Sequence, residues 1–262
     1  MDSLHYLDPN PDGNPFVLLI HGLGSEASSW RLQMDFLCLK GFRPVAIDVP
    51  GFGKSPYPEG KWSIKRIAEI FSGFMTKLTS QPAIICGISM GGTIALQMAL
   101  DWQSQAAGLV LLNTFARLYP RKPDEWFYFL QRLMIVQFMD FRQQADRVSW
   151  RIFPKPDQVV LRSELKQEIL QADRRAYQAA MRSLGLFDVR KRLKNLNIPV
   201  LILSGENDTT VSRPNQDELA RKIPTACQVV IPDSGHGSIA DQPDIVNCEI
   251  YQFITSLNLV KP

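Results

Sequence analysis

Three features of the sequence predict an α/β fold, a mostly parallel, doubly wound sheet with a helical cap inserted between core strands. Short β-branched apolar runs recur along the chain, and patterns with helical spacing lie between them. One long interval, Phe115 to about Gly185, holds helical patterns only. A strand buried on both faces reads as a continuous apolar run, whereas a helix laid on a sheet shows an apolar stripe every three or four residues.

The opening segment, MDSLHYLDPNPDGNP, is polar and turn-rich and lacks the basic-then-apolar order of a signal peptide. The first clear strand is FVLLI (Phe16 to Ile20), followed by a helical pattern over Ser28 to Leu39. PVAID (Pro44 to Asp48) precedes a helix over Ser63 to Leu78, and AIICG (Ala83 to Gly87) precedes one over Gly92 to Trp102. GLVLLN (Gly108 to Asn113) leads into the strandless interval, with amphipathic stretches such as DEWFYFLQRLMIVQFMDF. The rhythm resumes with PVLILSG (Pro199 to Gly205), a helix over Pro214 to Lys222, CQVVIP (Cys227 to Pro232) and a helix over Asp241 to Leu257. Alternation of strand and helix makes successive strands parallel, with helices on both faces. Each of the six strands reads as buried on both faces. The expected division is a core of residues 1–114 and 186–262 and a cap of residues 115–185, without repeats or a linker that would mark an independent second domain.

Composition narrows the function. The chain has 262 residues and a formal net charge of +3, with acidic and basic residues interleaved, which is unlike the concentrated basic stripe that a nucleic acid requires. No apolar run reaches bilayer length. Cys38, Cys86, Cys227 and Cys248 are scattered without a close pair, as expected of buried thiols in a reducing compartment. These features read as a soluble cytoplasmic protein.

The sharpest local signal is GISMG, Gly87 to Gly91, where a strand passes directly into a helix. In a G-x-S-x-G turn the serine takes a strained backbone conformation at the sheet edge, and its neighbours two residues away must be small. The helix N-terminus aims N–H groups and positive dipole at the spot where an anion would form. Ser89 is therefore the candidate nucleophile. A hydroxyl needs a base, and the chain holds three histidines. His5 lies in the polar leader and His21 ends the first strand, so His236, in the glycine-flanked loop after the last strand, is the candidate. Asp208, just beyond a strand in GENDTTV, is the preferred carboxylate to orient it, with Glu206 as the rival. The end of the preceding strand offers Asn113 instead of an acid. In HGLGS the glycines let the backbone approach the nucleophile, so the amides of Leu23 and Met90 can form an oxyanion hole, leaving the His21 side chain structural.

Taken together, HGLGS, DVPGFGKS, GISMGG, Asp208 and His236 resemble the α/β-hydrolase superfamily, in its order and spacing. The serine places the resemblance in the serine-nucleophile branch, near 3-oxoadipate enol-lactonases, carbon-carbon bond hydrolases and small carboxylesterases. Gly237 stands where carbon-carbon hydrolases commonly carry tryptophan. The resemblance implies an extended opening hairpin, and the short segment before Phe16 predicts that one or both of its strands are missing. It also makes the insertion a lid.

The lid segment is rich in rings: Phe115, Tyr119, Trp126, Phe127, Tyr128, Phe129, Phe138, Phe141, Trp150 and Phe153. Some should line an apolar pocket and others pack on the sheet. Trp126 and Phe138 are the first candidates for substrate binding, with Phe52 of the PGFGKS loop as a third. Arg117, Arg121, Arg132 and Arg142 are read as solvated faces or, alternatively, as a carboxylate clamp. The expected activity is hydrolysis of a small-molecule ester or lactone with an apolar portion, through an acyl-enzyme and with no metal or organic cofactor needed. The alternatives are carbon-carbon hydrolysis, lyase or acyl-transfer chemistry with the same residues, or a non-catalytic receptor.

Overall fold

The computed structural model describes residues 4–118 and 140–258. Its strands are β1 (Tyr6–Leu7), β2 (Phe16–Ile20), β3 (Arg43–Ile47), β4 (Ala83–Ile88), β5 (Ala106–Leu112), β6 (Val200–Gly205) and β7 (Ala226–Ile231). They form one sheet of order β1-β3-β2-β4-β5-β6-β7, parallel throughout except for β1, which pairs antiparallel with β3. All six strands expected from the apolar runs are present. The added β1 means that the sheet does keep a short antiparallel opening element.

The helices between strands are α1 (Arg31–Leu39), α2 (Ile64–Leu78) and α3 (Met90–Asp101). α4 (Phe141–Ile152), α5 (Val159–Gln171) and α6 (Arg174–Leu186) lie between β5 and β6, followed by α7 (Arg213–Lys222), the short α8 (Ser238–Asp241) and α9 (Pro243–Ser256). Ser63 caps α2 by accepting from the Arg66 amide at 3.2 Å, which satisfies one of the free donors of the first turn.

The pleat of β2 sorts its side chains: Leu18 and Ile20 join the core shared with α2, α3 and the inserted helices, while Val17 and Leu19 face Trp30, Met34 and Leu37 beside α1 and Val246 and Ile250 of α9. α3 is apolar on nearly its whole circumference, and every residue from Met90 to Ala99 is buried. Truncating such a core residue to alanine costs about 2 to 5 kcal/mol.

Two expectations need correction. β7 is not buried on both faces: it pairs on one side only, and its residues up to Val230 are partly or fully exposed. An edge strand has one neighbour and less cover, and its apolar run did not reveal that. The cysteines are not all buried either. Cys86 is enclosed in β4, Cys38 is half-buried, and Cys227 and Cys248 are exposed, the first on the edge strand and the second on an outer face of α9.

Candidate active site

Ser89 sits between β4 and α3 with φ 53° and ψ −114°, a conformation that an L-residue adopts only under constraint. The constraint is visible in its neighbours. A Cβ on Gly87 would strike the Gly91 carbonyl, and one on Gly91 would strike the carbonyl of Ile20 in the adjacent strand. The Ser89 amide donates to Leu112 O at 2.9 Å, and Thr114 Oγ1 donates to Ser89 O at 2.7 Å, so both ends of the residue are held by the β5 edge.

His236 and Asp208, from the loops after β7 and β6, meet with Nδ1 to Oδ2 at 2.9 Å, both almost wholly buried. Asp208 Oδ1 accepts from the amides of Thr210 and Val211 at 2.8 and 3.0 Å, and Oδ2 also accepts from Gln216 Nε2 at 3.0 Å. This carboxylate is a loop organiser and imidazole partner, not a helix cap: α7 starts only at Arg213, with Ser212 before it. The rival Glu206 accepts from the Asp233 amide at 3.0 Å.

Asn113 is the member that sequence reasoning passed over as merely a non-acid. It lies at the end of β5 with φ 46°, and its Oδ1 accepts from Gly205 N at 2.7 Å. Its Nδ2 is within hydrogen-bond distance of the carbonyls of His236 and Gly235, at 2.7 and 3.3 Å, and of Ser238 Oγ at 2.7 Å. One buried amide thus joins the β6 end to the histidine loop. Asp241 adds a second brace by accepting from Gly235 N at 2.7 Å.

Ser89, Asp208 and His236 line one cavity of about 700 Å³, together with Leu23. The Met90 amide is at the first position of α3, where a helix has no internal acceptor for it. His21, fully buried, donates or accepts through both nitrogens: Nδ1 is 2.7 Å from Gly22 O, and Nε2 accepts from the Val49 amide at 2.9 Å. These bonds require the neutral ring with its proton on Nδ1. Burial pushes its pKa down, against the opposing pull of the Gly22 carbonyl and of Asp48 and Glu26.

The ring and arginine expectations divide. Phe115 and Phe153 line the cavity, and Phe153 lies over Gly237, where a Cβ would come within 2.5 Å of its ring. The glycine after His236 therefore makes room for an aromatic wall. Phe141 packs edge-on against Tyr177 at 5.4 Å, and Trp150 is 57% exposed beneath the Arg162 guanidinium. Tyr119, Trp126, Phe127, Tyr128, Phe129 and Phe138 lie outside the described residues. Phe52 does not line the cavity. Asp48 accepts from the Lys54 amide at 2.8 Å and folds that loop inward, leaving the Phe52 ring fully enclosed between His21 and Tyr177. Arg121 and Arg132 lie outside the described residues, Arg117 is near Asp188 at 3.9 Å, and Arg142 is exposed. Among the described residues, the arginines that reach the cavity are Arg31 and Arg151, the latter donating to Thr209 O.

Among the described residues no group of three or more His, Cys, Asp or Glu side chains could hold a metal ion, and no helix is long and apolar enough to cross a membrane. The pattern describing the alpha/beta hydrolase fold matches residues 15–243. The chain is similar to the AB hydrolase superfamily protein YisY of Bacillus subtilis (strain 168), with 28% identity over 253 residues, 93% of this chain and 92% of the relative. Among solved structures it resembles the enol-lactonase from Burkholderia xenovorans LB400, with TM-score 0.85, 26% identity and 96% of each chain covered. It also resembles a thermophilic esterase from Thermogutta terrifontis, with TM-score 0.84, 28% identity and coverage of 97% of this chain and 93% of the other.

Proposed function

Because the chain belongs to the alpha/beta hydrolase fold family, we propose that it is a serine hydrolase that cleaves a small carboxylic ester or lactone with an apolar portion. The observation that carries this reading is the cavity shared by Ser89 and a buried His236–Asp208 pair joined at 2.9 Å. Ser89 Oγ attacks the substrate carbonyl while His236 Nε2 takes its proton, and Asp208 holds the Nδ1–H tautomer and stabilises the imidazolium. The oxyanion is received by the amides of Leu23 and Met90. His236 then returns the proton to the leaving oxygen, and a water molecule, activated by the same ring, releases the acyl group from Ser89.

The helices inserted between β5 and β6 act as the cap, since α4, α5 and α6 all contribute apolar side chains to the cavity wall, among them Val148, Leu165 and Met181. The resemblance to an enol-lactonase and an esterase supports an ester-type carbonyl as the electrophile. The exposed, unbridged Cys227 and Cys248 support a reducing, cytoplasmic setting. The test is hydrolysis of short and medium p-nitrophenyl esters by the wild type and Ser89→Ala, with a fluorophosphonate adduct mapped by mass spectrometry. Equal rates in the two proteins, or an adduct elsewhere than Ser89, would overturn the reading.

A further inference from the structure

The cavity wall contains a carboxyl group that the hydrolytic steps do not use. Glu168 on α5 lines the cavity one helical turn from Glu164. The two acids differ in their surroundings. Glu164 faces Arg31 at 3.2 Å near the surface, whereas Glu168 has no cation within ion-pair distance among the described residues. Its Oε2 accepts from Ser25 Oγ at 2.6 Å, and no described group donates to Oε1. Apolar side chains stand beside it on this wall, Leu161 and Leu165 on the same helix and Leu23 on the loop that carries Ser25.

A carboxyl group held this way is incompletely satisfied. An alkyl chain pressed against it would remove water from Oε1 and return no hydrogen bond, at a cost that a donor group would avoid. Ser25 also fixes where the group stands, because it lies two residues beyond the oxyanion donor Leu23, in a turn closed by Ser25 N to Gly22 O at 3.3 Å.

We propose that Glu168 is the specificity-determining group of the cavity, and that it selects substrates that present a hydrogen-bond donor, a hydroxyl or an ammonium, to the α5 wall. This deepens the hydrolase reading and rests on it. The preferred substrate is then an apolar chain that bears a polar group.

The charge state of Glu168 separates the two kinds of donor. Burial, with Glu26 and Glu164 nearby, pushes its pKa up to about 7, against the bond from Ser25 and the pull of Arg31. Among the described residues, the other charged or titratable groups on the cavity wall are Arg151, Asp208, His236 and Tyr177. Below that pH a neutral acid meets the substrate and serves a hydroxyl. Above it a carboxylate does, and favours an ammonium.

The experiment compares kcat/KM for esters ending in methyl, hydroxyl or amino groups, in one series varied at the acyl end and in another at the alcohol end. Wild type, Glu168→Gln and Glu168→Leu are assayed at about pH 5.5 and about pH 8.5, and melting temperatures check folding. Ratios between substrates cancel protonation changes in groups common to all of them. In one of the series the wild type should favour donor ends over methyl by about tenfold or more. Its preference for the amino end should grow with pH, Glu168→Gln should lack that growth, and Glu168→Leu should reverse the order in favour of methyl. A wild type that favours methyl ends in both series, or ratios in the two variants within about twofold of wild type in both, would overturn the proposal. Affinities of the matching non-hydrolysable ketones for Ser89→Ala, with and without Glu168→Leu, keep the proposal separate from turnover. If the wild type turns nothing over yet ketone affinities still sort by Glu168, the hydrolase reading falls and the specificity role stands. If they do not sort, the specificity role falls.

Discussion

The Asn113 side-chain amide donates to the main-chain carbonyl of His236 at 2.7 Å, so the end of β5 holds the backbone of the residue that carries the imidazole. Replacing Asn113 with alanine removes that donor and the acceptor for the Gly205 amide, both inside the protein. Unsatisfied buried groups cost about 1 to 3 kcal/mol each, so the variant should lose at least about 2 kcal/mol in urea unfolding. Turnover should fall more than KM rises, because the loop bears His236, the proposed base. Unchanged stability and kcat would show that the amide is dispensable.

Asp208→Asn should keep the fold, since an amide oxygen in the place of Oδ1 still accepts from Thr210 and Val211 and only the bond from Gln216 is lost, yet lower kcat by about 10⁴-fold through the wrong imidazole tautomer. Steady-state kinetics decide it. Near-wild-type turnover would remove Asp208 from the role that this geometry supports.

Acid should destabilise the protein through His21. Its folded pKa lies below the ordinary value of 6.5, so the unfolded chain takes up a proton that the folded ring, accepting from Val49 N, refuses. The stabilisation is fully present above pH 6.5 and is lost as pH falls below it. Urea unfolding across that range should show a smaller slope in His21→Asn, even though that variant is less stable throughout.

Glu168 should act with the opposite sign. Its pKa rises from 4.5 to about 7 on folding, so the unfolded carboxyl ionises first and stability declines as pH climbs between those values. The shift corresponds to at most about 3 kcal/mol. Glu168→Gln should therefore gain melting temperature relative to wild type at about pH 8 and not at about pH 4. An equal difference at both would show that the carboxyl is not desolvated.

Phe153→Ala should change the kcat/KM ratio between long and short chains by about 1 to 3 kcal/mol, as expected for lost apolar contact. The ring lines the cavity and covers Gly237 beside His236. A ratio identical to wild type would assign the ring to packing alone.

The sequence made the sheet legible because buried parallel strands are continuous apolar runs with little else to be confused with. It revealed Ser89 through its glycines, since only small residues fit beside the Ile20 and Gly91 carbonyls. His236 and Asp208 were found by elimination and strand position, and the structure brings them together. Pairwise tertiary facts were hidden. No local signal distinguishes Phe52, turned inward by Asp48, from Phe153, turned toward the cavity. Nothing near Glu168 reveals that Ser25, 143 positions away, meets it. Asn113 left one trace, a polar residue ending an apolar strand, but its role depends on a loop 123 positions later.

That last separation has a kinetic side. Asn113 reaches its partners at Gly205 and His236 only after β5, β6 and β7 have been brought together across loops of 92 and 123 positions. Closing such loops is entropically expensive and is repaid only once the distant contacts exist. On refolding, the helices of the first half can gain structure before the clasp between the two halves forms, so reactivity at Ser89 should return after most of the helical signal. The site is thus a late reporter of a completed sheet.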